Sequence, residues 1–123
     1  MKRVMSSRNY MDLIAWQKAM TLAEAVYAAT RALPPEEKFG LSSQMRRAAV
    51  SIPANIAEGQ GRRTDGEFVN LLSVAHGSVR ELETHVMLAE RLHLLSRQSV
   101  KDLLASAAEV GKLVRGLLNS KQR

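Results

Sequence analysis

Between Phe68 and Ala89 the apolar residues Phe68, Leu72, Ala75, Val79, Leu82, Val86 and Ala89 recur at alternating spacings of four and three. Only an α-helix gathers residues so spaced onto one stripe, and a stripe this regular is the seam of a helical bundle. Thr64-Asp65-Gly66-Glu67 opens the segment as a capping box: Thr64 serves the amide of Glu67, and Glu67 reaches back. The helix is expected to run to about Leu92, a length of ~42 Å. A helix this long with a single apolar seam must be covered by other helices.

Three such partners can be read along the chain. The first runs from about Asp12 to Arg31, with Leu13, Trp16, Met20, Ala23, Tyr27 and Thr30 as its stripe and Asp12 or Asn9 as its N-cap. Pro34 and Pro35 end it. The second starts after Gly40 and buries Leu41, Met45, Ala48, Ile52 and Ile56. Pro53 lies inside it, so a kink is expected there, with Ser51 and Asn55 placed to satisfy freed carbonyls. Gly59 and Gly61 suit a left-handed C-terminal cap. The fourth helix begins near Ser96, and its stripe is Val100, Leu103, Ala107, Val110, Val114 and Leu117. His93 to Ser96 is a short link and forces a hairpin. No repeat or linker interrupts the pattern. The expected fold is all-α: one antiparallel up-down-up-down four-helix bundle spanning residues 1–123, with its core at about 10–119.

Further apolar residues extend the stripes: Leu22, Val26, Ala29 and Leu33 on helix one, Leu71, Val74, Met87 and Leu88 on helix three, and Leu104, Ala108 and Leu118 on helix four. Mid-helix glycines accompany them at 77, 111 and 116. Wide apolar faces on a small domain point to a broad core or to a subunit interface, and the interface is the favoured reading.

Composition narrows the function classes. The chain has no cysteine, so disulfides and thiolate metal sites are excluded and the cytoplasm is expected. No apolar run is long enough to span a membrane. The net charge is +6, and the excess is uneven. Lys2, Arg3 and Arg8 stand near the start without an acid among them, while residues 91–123 carry 7 basic against 2 acidic side chains. Such an excess attracts RNA, DNA or another polyanion. It also falls in the range that solubility alone requires.

Catalytic signatures are weak. Glu90-Arg91-Leu92-His93 has the spacing of a di-metal bundle ligand, but no second copy exists. His76, His85 and His93 are not accompanied by a nucleophile elbow or a phosphate loop. No enzymatic activity, metal or cofactor is expected. Arg62 and Arg63 stand beside the start of helix three, where free amides and guanidiniums can hold a phosphate. Arg46 and Arg47 are about 100° apart on helix two, so at most one is buried, and an ion pair with Glu58, Glu81 or Glu83 is the expected role for one. Trp16, Tyr27 and Phe68 fall on core stripes, which leaves no aromatic surface for base stacking and makes backbone electrostatics the expected mode of any nucleic-acid binding.

Three stretches carry a family resemblance: residues 12–19, the long motif from Gly40 to Gly59, and residues 75–83. Together they resemble the bacterial four-helix-bundle proteins encoded in intervening sequences of large-subunit ribosomal RNA genes. The resemblance covers about residues 10–96. It implies an antiparallel bundle that assembles into a homopentameric ring. A similar fold occurs in the accessory variability determinant of diversity-generating retroelements, a basic pentamer that binds nucleic acid and a reverse transcriptase. No catalytic residues come with the resemblance. Arg46, Arg47, Asn55, Glu58 and Gly59 match its motif, with no role attached to them. The expectation is a non-enzymatic oligomeric scaffold that binds RNA or DNA through Arg46, Arg47, Arg62 and Arg63, assisted by Lys2, Arg3 and Arg8. The alternative is a protein–protein adaptor, for example for a reverse transcriptase or a ribosome-associated factor.

Overall fold

The computed structural model describes residues 9–121. Lys2, Arg3 and Arg8 lie outside the described residues. Four helices follow one another: α1 (Ile14–Thr30), α2 (Leu41–Gln60), α3 (Asp65–Arg91) and α4 (Arg97–Lys121). Single 3-10 turns occupy Tyr10–Asp12 before α1 and Pro35–Glu37 in the α1–α2 connection. No strand occurs among the described residues. Each helix packs on the next, and α4 returns against α1, which closes an up-down-up-down bundle.

The seam of α3 is buried along its whole length, from Phe68 to Ala89. Thr64 Oγ1 accepts from the Glu67 amide at 3.1 Å, the first half of the capping box; the reciprocal bond from Glu67 is not formed. All five apolar positions expected for α2 are buried. On α4 the expected seam holds from Val100 to Val114, and Leu118 rather than Leu117 completes it. Ser96 caps α4 by accepting from the Ser99 amide at 3.1 Å. The fully buried Leu22, Met45, Ile52, Ile56, Leu72 and Leu82 anchor the aliphatic core. Each contributes roughly 1.5–3 kcal/mol by leaving water.

The buried face of α1 is rotated from the expected one. It presents Ala15, Ala19, Leu22, Ala23, Val26 and Thr30 to the core, while Met20 and Tyr27 are 40% and 39% exposed and Trp16 is half-buried. Three small alanines share the inward face with Leu22 and Val26, and the wider side chains are turned to the flanks. Leu22, Val26, Leu33 and Leu118, read as part of a second face, therefore belong to the core. Asn9 caps the 3-10 turn by accepting from the Met11 amide at 2.9 Å, and α1 itself starts after Leu13, so Asp12 is no cap.

Two glycine expectations change. Gly61 has φ −82°, and no described glycine is left-handed, so α2 does not end in a left-handed cap. Gly59 is instead a packing residue. A Cβ there would stand 2.8 Å from Phe68 Cδ1 and 3.1 Å from Leu71 Cβ, so its bareness lets α3 fold back against the end of α2. The left-handed residue is His93, with φ 59°. The Leu94 amide donates to the Ala89 carbonyl at 2.9 Å and the His93 amide to Glu90 at 3.0 Å, which is a Schellman closure of α3.

Pro53 is buried within an uninterrupted α2. Asn55 Nδ2 donates to the Ser51 carbonyl at 2.8 Å and to Ser51 Oγ at 2.9 Å. It does not serve the Ala49 carbonyl that the proline leaves without its amide partner. Ser51 Oγ is in turn hydrogen-bonded to Ser78 Oγ of α3 at 2.8 Å.

Candidate nucleic-acid interface

The connection between α1 and α2 carries Lys38 and Phe39, and the first half of α2 carries Arg46 and Arg47. Together with Tyr27, Ser43, Val50 and Ser51 they line an open groove of about 660 Å³ over the outer face of α2. Three cations and no carboxylate line it. The local fold explains the placement. Glu37 Oε1 accepts from the Leu41 amide at 2.9 Å and caps α2, and Gly40 leaves room for that carboxylate, since a Cβ there would stand 2.8 Å from it. This turn holds Phe39 out in solvent at 88% exposure.

Arg46 is fixed in position. Its Nε donates to Thr30 Oγ1 at 2.8 Å, and its guanidinium lies 4.5 Å from the centroid of the Tyr27 ring. The terminal nitrogens have no hydrogen-bond partner among the described residues, so the charge stays available to the groove. The expected ion pair with Glu58, Glu81 or Glu83 is absent. Arg46 is too far along α2 from Glu58, and Glu81 and Glu83 pair with His85 and Arg80 on their own helix. Arg47, one residue on, is exposed.

The other arginine pair is elsewhere. Arg62 and Arg63 follow α2, roughly 20 Å along the bundle from Arg46 and Arg47 at the helical rise. Arg62 pairs with Glu58 one turn back. Asp65 and Glu67 occupy the first turn of α3, where they satisfy the helix dipole and oppose an anion. Arg63 is exposed and forms no ion pair among the described residues. The four arginines thus split into two places, and the first pair lines the groove on α2. Asn55 and Gly59 have structural tasks, and Glu58 holds Arg62.

The expectation of no aromatic surface is overturned. Tyr27 is half exposed because α1 is rotated, and Phe39 projects from the connection. Both stand among the cations of the groove. Sequence reasoning passed over Phe39 and Lys38. Their signal was an aromatic beside a lysine in an otherwise polar connection between Pro35 and Gly40.

Among the described residues no group of three or more His, Asp or Glu stands together as a metal site. No described helix is long and apolar enough to cross a membrane. The molecule is therefore an all-α bundle whose most distinctive surface is a cationic, ring-flanked groove. The chain belongs to the 23S rRNA-intervening sequence protein family, whose profile matches residues 11–116. Its fold is similar to that of a crystallised protein of unknown function from the S23 ribosomal protein family of Bacteroides thetaiotaomicron, with a TM-score of 0.77 and 23% identity. That likeness covers 85% of this chain and 98% of the other. No curated protein matches the chain.

Proposed function

We propose that this protein is a non-enzymatic, oligomeric scaffold that binds single-stranded RNA or DNA. The observation that carries the reading is the groove in which Lys38, Arg46 and Arg47 surround Tyr27 and Phe39 with no acid among the lining residues. Cations that track phosphates, beside rings on which bases stack, are the general means of holding a single strand. Exposed apolar residues support the oligomer. Val74 and Leu88 fall within about 40° of one another on α3, Leu92 is exposed at its C-cap, and Ile14 and Met20 are exposed on α1. A ring of copies would repeat the groove and multiply weak contacts by avidity. The family resemblance implies five copies.

The test is fluorescence anisotropy of a labelled single-stranded RNA across a salt series, with light scattering on the same sample. Affinity is expected to fall log-linearly with salt, at about 0.7 per phosphate contact. Phe39→Ala should weaken binding by about 1–3 kcal/mol per stacked base. A flat salt response, or no binding at low salt, rejects the reading. The second reading is a protein adaptor, in which the same apolar flank of α3 would meet a different protein instead of another copy. A partner retained after nuclease treatment would support that instead.

A further inference from the structure

A second cationic groove lies between α3 and α4, away from the one just described. His76, Arg80 and Glu83 line it from α3, and Lys112 and Arg115 from α4, around about 370 Å³ of space. The helices impose this arrangement. Residues 76, 80 and 83 are four and three apart and share a stripe, and residues 112 and 115 are three apart on the facing helix. Ala108 and Gly111 keep the α4 wall low. A Cβ at Gly111 would meet Val79 Cγ1 at 3.5 Å, an ordinary contact, so Gly111 lies directly against α3 at the floor of the groove.

The charges do not cancel. Arg80 Nη1 contacts Glu83 Oε1 at 2.9 Å, which accounts for one cation. Lys112 and Arg115 form no ion pair among the described residues. Two positive charges are left over beside an imidazole. Burial, then Arg115 and Arg80, hold His76 below the ordinary histidine value, and Glu83 opposes them. An anion in the groove would offset both arginines and let His76 take up a proton.

We infer that the α3–α4 groove is a second anion site, which takes the dianionic phosphate of a phosphate monoester between Arg115, Lys112 and His76. The matching charge and the fork geometry of arginine favour phosphate over a single carboxylate. A free small phosphate ester and the terminal phosphate of a nucleic acid present the same chemistry. This site is independent of the groove on α2 and stands or falls without it.

The test follows the His76 ring resonances by NMR in the full chain. Inorganic phosphate at millimolar concentration is expected to shift them and to raise the His76 pKa. Arg115→Gln should weaken that response about tenfold. Lys101→Gln, an exposed cation elsewhere on α4, should leave it unchanged. A 5′-phosphorylated dinucleotide acting where its 5′-hydroxyl counterpart does not would assign a nucleic-acid terminus. Inorganic phosphate and a sugar phosphate acting with the dinucleotide inert would assign a free ester. Unmoved His76 resonances overturn the proposal, as do equal responses of Arg115→Gln and Lys101→Gln, which would mean screening alone. So does a shift produced by the 5′-hydroxyl dinucleotide and not by phosphate.

Discussion

The Nε of Arg46 donates to the hydroxyl of Thr30 at 2.8 Å, and that hydroxyl reaches the Val26 carbonyl at 2.8 Å. The bond ties the start of α2 to the last turn of α1. Arg47 has no such tie. Arg46→Ala should therefore lower stability by about 1–2 kcal/mol, from a lost hydrogen bond and a lost ring contact. Arg47→Ala should stay within about 0.5 kcal/mol of the parent. Urea denaturation separates the two. Both variants should bind single-stranded RNA more weakly, so stability and affinity part company only at Arg47.

Gly59 and Gly77 make opposite predictions for the same substitution. Gly59→Ala drives a methyl into Phe68 and should destabilise by about 1–3 kcal/mol. Gly77→Ala meets nothing within 4 Å and should stabilise by about 0.5–1 kcal/mol through helix propensity. Thermal melts of the two variants check the contrast. A Gly77→Ala variant that melts higher yet loses its oligomeric state would place α3 against another copy at that point.

His93→Gly should stabilise the fold by about 0.5–1 kcal/mol. The left-handed conformation costs a histidine roughly 1–2 kcal/mol, and part of the relief is offset by glycine's freedom when unfolded. His93→Ala keeps the strain and should show no gain. Equal melting of both variants would mean that the Schellman turn carries little strain.

His76 supplies a pH dependence with a definite sign. Its folded pKa lies below the unfolded value near 6.5, so on acidification the unfolded chain takes up the proton first. The stability penalty begins as pH falls through about 6.5 and is complete below the depressed folded value. His76→Gln should thus lose less stability on acidification through this window than the parent does. Denaturation midpoints above and below the window, parent against variant, measure the difference. Added phosphate should shrink it.

Much of the fold was legible because large aliphatic residues dominate α2, α3 and α4. There the apolar period, the Thr64 and Ser96 caps and the core coincide. On α1 the heptad spacing misled, since it ran through Met20 and Tyr27 while an equally regular stripe through Ala15, Ala19, Leu22 and Val26 is the one that is buried. What decides burial there is which face of α1 the other helices cover, a property of the assembled bundle. The same rotation hid half of the groove. Arg46 and Arg47 were legible as a pair, but Tyr27 was assigned inward and Phe39 sits in a connection without periodicity. The separation of Arg62 and Arg63 from Arg46 and Arg47 needed the helix lengths and the Glu58 contact, which spacing alone does not reveal.

The Ser51–Ser78 hydroxyl contact, with Asn55 behind it, links two helices whose other buried contacts are almost wholly aliphatic. Aliphatic seams that repeat every three or four residues are nearly degenerate: sliding α2 by one turn along α3 would still bury leucine against valine. A short hydroxyl pair has no such degeneracy, because one turn of displacement, about 5.4 Å, breaks the bond and strips the buried Ser78 hydroxyl of its partner on α2. Its contribution is axial registration more than cohesion. Through it the register of α2, and with it the height at which Arg46 and Arg47 stand on the bundle, is set.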